Sequence, residues 1–153
     1  MPDQWSVRCH GDEGAMVWGH NHRGQLGGVE GSKVKTPQAC HNVAHLRPAA
    51  VVGGEQSLFA VTTEGRVYSA GYGMNGRLGL GTEDSVAVPT MVSSLIHLKI
   101  TKVRFRGLNF SFQNNHFISH HILFFERLNC KKRILQVNTN LNSTVHFIFF
   151  SKF

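Results

Sequence analysis

Residues 18–28 read WGHNHRGQLGG, and residues 70–80 read AGYGMNGRLGL. At a constant offset of 52, Gly19 falls on Gly71, Gly24 on Gly76, Leu26 on Leu78 and Gly27 on Gly79. The register continues without a gap: Pro37 matches Pro89, Leu46 matches Leu98 and Val51 matches Val103. Most matched residues are Gly, Pro and Leu, the types that fix turns and fill cores. Self-similarity at a fixed period of this length marks a repeat architecture.

The connecting stretch VVGGEQSLFAVTTEGRVYSAG (51–71) supplies the strands. Its β-branched and aromatic content predicts a strand near Ala50–Val52, a buried strand at Ser57–Thr62 and another at Arg66–Ala70. The turn between the last two falls at Thr63-Glu64-Gly65. Short strands, frequent glycine and a period near 50 predict an all-β fold, a β-propeller with one blade per repeat. Trp18, Leu26, Leu58, Phe59, Val61, Val67, Leu78 and Leu98 are the expected core.

The pattern W-G-x4-G-Q-L-G, a Pro ten residues on, then V-x-G-G…A-V-T…G-x-V-Y-x-x-G, resembles the Regulator of Chromosome Condensation repeat. The wording GHNHRGQLGG, GGEQSLFAVTTEGRVYSAGYG and GRLGLGTEDSVAVPT is most similar to repeat domains of the giant HERC-type (HECT) ubiquitin ligases. The resemblance covers about residues 14–103. It implies a partial β-propeller, about two blades of a seven-bladed type. It assigns repeat-structural roles to Trp18, Gly19, Gly24, Leu26, Gly27, Pro37, Gly71, Gly76, Leu78, Gly79 and Pro89. The pair Gly53-Gly54 with Tyr68 distantly resembles the kelch repeat, which would also give a propeller.

Two departures stand out. The second copy has Ala70 in place of Trp18. Beyond residue 103 the repeat pattern stops: Phe105 and Arg106 stand where Gly53 and Gly54 would recur, and Phe117 and Leu123 where Gly65 and Gly71 would. Bulky residues at glycine positions predict that the repeat register ends near Val103.

Composition changes at the same place. The net charge is +7, but residues 1–103 hold nine Lys/Arg and eight Asp/Glu, whereas residues 104–153 hold seven Lys/Arg and only Glu126. Ten of the eleven Phe and one of the sixteen Gly follow residue 103. The expected organisation is an N-terminal segment (1–13), two propeller-type repeats (14–103) and an unrelated, basic, Phe/Asn-rich, non-repeat tail (104–153). The tail's residue types have A/T-rich codons, which suggests translated non-coding sequence. The alternative is a nucleic-acid-binding arm built on Lys131-Lys132-Arg133 and interleaved Phe. No nucleic-acid fold pattern frames those residues, so nucleic acid is not the expected partner. A helix around His121–Gln136 and an aggregation-prone run at Val145–Phe150 are further expectations. The sequons at Asn109 and Asn142 carry no weight without a secretory route.

Several motifs imitate chemistry. His20-Asn21-His22 could place two imidazoles on one strand face, but a metal site needs three or four ligands and none is spaced for it. Gly71-Tyr72-Gly73-Met74-Asn75-Gly76 fits G-x-G-x-x-G, yet RLGLGTEDSVAVPT follows, too rich in Gly and Pro for the helix a dinucleotide needs. Gly19-x4-Gly24 continues Gln-Leu rather than Lys-Ser/Thr, so the phosphate-loop reading fails. Cys9-His10 and Cys40-His41 have no orienting carboxylate, and no catalytic residue is expected. The three cysteines form no C-x-x-C pair, consistent with reduced thiols. The opening MPDQWSVRCHGDEG lacks an apolar h-region, and no run approaches a membrane span, so a cytoplasmic or nuclear location is expected.

The functional expectation is therefore a protein-interaction surface in the ubiquitination pathway. The resemblance implies that ubiquitin transfer needs a separate HECT domain, so this chain is not expected to be an enzyme. No cofactor, metal, small-molecule substrate or membrane is expected, only protein partners. The alternatives are guanine-nucleotide exchange with chromatin docking, or a non-functional truncated product. Partner contacts are expected at the positions that differ between copies: His20, His22 and Arg23 in one, Met74, Asn75 and Arg77 in the other.

Overall fold

The computed structural model describes residues 6–10, 14–54, 56–106, 109–114, 138–140 and 144–146. Its strands are β1 (Ser6–His10), β2 (Gly14–His20), β3 (Lys33–Ala39), β4 (Pro48–Gly53), β5 (Ser57–Thr62), β6 (Val67–Gly71), β7 (Val86–Met91), β8 (Ile100–Arg106) and β9 (Asn109–Asn114). Two short strands follow, β10 (Asn138–Asn140) and β11 (Thr144–His146). A four-residue helix, α1 (His41–Ala44), joins the first sheet to the second. The sheet orders are β1-β2-β3, β4-β5-β6-β7, β8-β9 and β10-β11, and every pairing is antiparallel.

The three predicted strands lie where the residue pattern put them, with ends moved by one or two positions. The turn between β5 and β6 is the expected one: Gly65 N–H bonds to the Thr62 carbonyl at 2.9 Å.

The 52-residue period is visible in the pairing itself. Val17 faces Gln38 in β2–β3, and Ser69 faces Thr90 in β6–β7. Both pairs carry a register shift at the same place, between Val17 and Gly19 and between Ser69 and Gly71. A bulge is a specific local geometry, so its recurrence shows that the copies share backbone structure and not only composition.

Sheet and sequence repeat are out of phase. The four-stranded sheet takes β4 and β5 from the end of the first copy and β6 and β7 from the start of the second. Each sheet is therefore completed across a repeat boundary, which ties consecutive copies together.

Strand β5 shows why the sheets stack as propeller blades. It is buried along its whole length. Leu58 and Ala60 enter one core, with Ala15, Val17, Leu26, Val34, Cys40, Val43 and Ala70. Phe59 and Val61 enter another, with Val67, Val92, Leu95, Ile100 and Val103. Successive side chains on a strand point to opposite faces, so this sheet is apolar on both and has a neighbour on each. Trp18 and Leu98, expected in the core, are half-buried and pack at its margins.

Residue 103 falls inside β8, and the backbone ladder runs on to Asn114. The β8–β9 pairing repeats β4–β5 at offset 52: Val51 faces Ala60 and Val103 faces Phe112, while Gly53 faces Leu58 and Phe105 faces Phe110. The register shift recurs too, between Pro48 and Ala50 and between Ile100 and Lys102. The glycine pattern of the repeat is not kept after residue 103, but strand pairing needs only extended backbone and does not require it. Strand β1 likewise lies in the segment 1–13 and joins the first sheet. The predicted helix at 121–136 and the basic run at 131–133 lie outside the described residues.

Candidate functional site

Two corresponding loops leave the sheets at one end: one follows β2, the other follows β6. The first is organised by Asn21, which occupies the position between the two histidines. Its amide nitrogen donates to the carbonyls of Val29 and Gly31, and its Oδ1 accepts from the Leu26 N–H at 3.0 Å. Its backbone N–H bonds to the Ser32 carbonyl at 2.8 Å. One nearly buried side chain thus satisfies three backbone groups of a loop that has no ladder of its own. Gln25 helps by accepting from the Arg23 N–H at 2.8 Å. Leu26 then drops into the core at 1% exposure.

The loop is pressed against β7. A Cβ at Gly24 would lie 2.7 Å from the Ala87 Cα, and Gly24 has φ +70. Only glycine meets both demands. At Asn21's position the second copy has Gly73, where a Cβ would collide with the Asp84 carbonyl oxygen. That loop is held differently. Gly73 N–H bonds to Ser85 Oγ at 3.1 Å, and the chain turns through a short 3-10 segment, Met74–Gly76, with Asn75 in the left-handed region. No helix follows β6 for a dinucleotide to use.

These loops assemble a cluster around Tyr72. The Arg23 guanidinium lies 4.5 Å from the centre of its ring, and the Arg77 guanidinium 4.9 Å. Both are within cation–π range. Arg77 is fixed further by its Nε donating to the Met74 carbonyl at 3.1 Å and a terminal nitrogen donating to Gln56 Oε1 at 3.2 Å. The Tyr72 hydroxyl donates to Met74 Sδ at 3.0 Å, and Met74 remains 49% exposed. The arrangement is an aromatic ring with two guanidinium groups over it and an exposed thioether beside its hydroxyl.

Of the six residues expected at a partner surface, the structure therefore brings Arg23, Met74 and Arg77 together, across two copies. Asn75 serves the turn. His20 and His22 stack on each other, with ring centres 5.7 Å apart. Among the described residues, no group of three or more His, Cys, Asp or Glu is placed to hold a metal. Residue-by-residue comparison missed Tyr72, Asn21 and Gln56. Tyr72 carried a signal, since it takes the place of His20 in the second copy.

Cys40 lies in the core of the first sheet. Its thiol is buried and donates to the Leu26 and Gly27 carbonyls at 3.4 Å. Burial pushes its pKa up, against smaller opposing effects of hydrogen bonds from the Val43 and Asn42 backbone. Among the described residues, no helix is long and apolar enough to cross a membrane.

Fold and loops together define a repeat-built partial β-propeller. Residues 64–105 match the model of the Regulator of chromosome condensation (RCC1) repeat. The chain is also similar to parts of HERC-type ligases. It is 53% identical over 102 residues to human E3 ubiquitin-protein ligase HERC2, a match covering 67% of this chain and 2% of that protein. The chain thus spans only a small part of that relative's length. The fold is shared with human WBSCR16, at TM-score 0.63 and 22% identity over 72% of this chain and 29% of that one. It is also shared with Prp20p of Saccharomyces cerevisiae, at TM-score 0.53 and 23% identity over 67% and 30%.

Proposed function

We propose that these repeats are a protein-recognition surface of a HERC-like ubiquitin ligase propeller, acting in the cytoplasm or nucleus. Ubiquitin transfer would belong to a separate catalytic domain, and this part of the molecule would recognise a substrate or partner protein. The observation that carries the reading is the Arg23–Tyr72–Arg77 cluster with exposed Met74. Arg and Tyr dominate the residues that supply binding energy at protein interfaces. Guanidinium groups already held over a ring lose less freedom on binding, which lowers the cost of association. A methionine at the edge adds an adaptable apolar contact. The similarity to HERC2 supports placing the surface in the ubiquitination pathway.

The test is quantitative recovery of partner proteins by the full chain, by Arg23→Ala, by Tyr72→Ala and by Val88→Thr. Val88 is exposed on β7 outside the cluster and is the surface control. The reading expects a set of proteins that falls about tenfold or more with Arg23→Ala and Tyr72→Ala and is retained with Val88→Thr. Equal recovery by all four would refute it.

Prp20p was described with its binding to Gsp1p and histones. Accelerated nucleotide release from a small GTPase by this chain would replace the recognition reading with exchange activity. The near-neutral balance of residues 1–103 gives chromatin no basic face and argues against that outcome.

A further inference from the structure

We propose that Met74 is a methionine-oxidation site whose sulfoxide rearranges the Arg23–Tyr72–Arg77 surface, so that a hydroperoxide oxidant weakens what that surface binds. The regulatory half rests on the recognition reading above; the chemical half does not. Oxidation of a methionine follows access to its sulfur. Met74 opens the 3-10 segment Met74–Gly76 and is 49% exposed, more than any other described methionine. Met91 on β7 is 36% exposed, and Met16 on β2 is half-buried. Cys40 is shielded in the core at 1% exposure.

The sulfur is tied to the surface it would alter. The Tyr72 hydroxyl donates to Met74 Sδ at 3.0 Å, and a thioether is a weak acceptor. Arg77 Nε donates to the Met74 carbonyl at 3.1 Å, and its guanidinium lies 4.9 Å from the centre of the Tyr72 ring. Of the sulfur's lone pairs, one receives the hydroxyl and the other is left for the oxidant. That pair attacks the terminal oxygen of the hydroperoxide. The S–O bond forms, the O–O bond breaks, and the departing oxygen takes up the proton to leave as water or an alcohol. Sulfur loses two electrons and the peroxide gains two.

The product changes the surface in two ways. The sulfoxide oxygen is a stronger acceptor than the sulfur, and it forms beside the Tyr72 hydroxyl on a residue that Arg77 already holds. An internal acceptor then competes with a partner's acceptors for these donors. The adaptable apolar contact at Met74 also becomes polar. Both changes weaken binding. A thiol-dependent methionine sulfoxide reductase restores the thioether: two thiols are oxidised to a disulfide and the oxygen leaves as water. His22 holds the corresponding position in the first copy, so the device belongs to one loop of the pair.

The test treats the full chain, its tyrosine rings labelled with carbon-13, with limiting hydrogen peroxide. Peptide mapping should find Met74 sulfoxide forming about fivefold or more faster than Met16 sulfoxide. The Tyr72 ring signals should move in step with Met74 oxidation and stay in place when Met74→Leu is treated. Met91 pairs with Tyr68 in the β6–β7 ladder, so its oxidation is read at the other tyrosine. Recovery of partner proteins is compared with each chain's own untreated sample. It should fall about fivefold or more in the parent chain, return after the reductase, and hold in Met74→Leu. Met74 oxidised no faster than Met16, or Tyr72 signals indifferent to its oxidation, would overturn the inference. So would unchanged recovery by the oxidised parent chain, or an equal loss in Met74→Leu. If the untreated chain recovers no partner, the recognition reading fails and the regulation with it, while mapping and ring signals still decide whether Met74 is the oxidation site.

Discussion

Replacing Asn21 with Ala removes three side-chain hydrogen bonds at once. The Leu26 N–H loses its acceptor, and the Val29 and Gly31 carbonyls lose their donor. The two carbonyls sit on half-exposed and exposed residues, and water can partly replace the amide. The Leu26 amide belongs to a residue 1% exposed and cannot be rehydrated without pulling that leucine from the core. A net hydrogen bond contributes about 1 kcal/mol, and a buried unsatisfied donor costs about 1–3 kcal/mol. The expected loss is therefore about 2–4 kcal/mol, read as a lower urea midpoint at unchanged slope. Asn21→Asp keeps the acceptor for Leu26 but turns a carboxylate towards two carbonyl oxygens, so it should not rescue. A loss below about 0.5 kcal/mol for Asn21→Ala, or full stability of Asn21→Asp, would refute the claim that this side chain organises the loop.

Three further outcomes are expected. Gly24→Ala should destabilise by about 1–3 kcal/mol in the same urea assay, because the new methyl meets Ala87 and the backbone is left-handed there. Arg23→Ala should leave stability within about 0.5 kcal/mol of the parent while weakening partner binding, since Arg23 is exposed and its ring contact is a surface one. Cys40 should give the protein an alkaline limit. Its folded pKa is raised, so its stabilising contribution is complete below the thiol's ordinary value of 9.0 and declines as pH rises above it, where the unfolded chain ionises first. Cys40→Ala should flatten that part of the stability–pH curve.

The sequence announces the parts of this fold that depend on residue type. Gly24 and Gly76, and the buried Leu26 and Leu78, repeat visibly, and the single Glu-Gly turn falls where expected. It is silent on what depends on pairing across copies. The phase of the sheets against the repeat follows from β4 and β5 joining β6 and β7, which no single copy reveals. The continuation through β9 was hidden because glycines marked the repeat, whereas strand register is specified by alternation of faces. Asn21 was masked by the histidines beside it, since a side chain that bonds backbone leaves no mark on periodicity. The Arg23–Tyr72 contact joins residues from different copies, and residue comparison treats them as unrelated differences.

The central claim is that two loops from successive repeats form one surface around Tyr72. The chain has two tyrosines, Tyr68 and Tyr72, so selective carbon-13 labelling of tyrosine rings gives two assignable sets of signals. Arg23→Ala and Arg77→Ala should each shift the Tyr72 ring signals and leave those of Tyr68 in place. If Arg23→Ala leaves the Tyr72 signals unmoved, the loops do not meet there, and the proposed recognition surface does not exist.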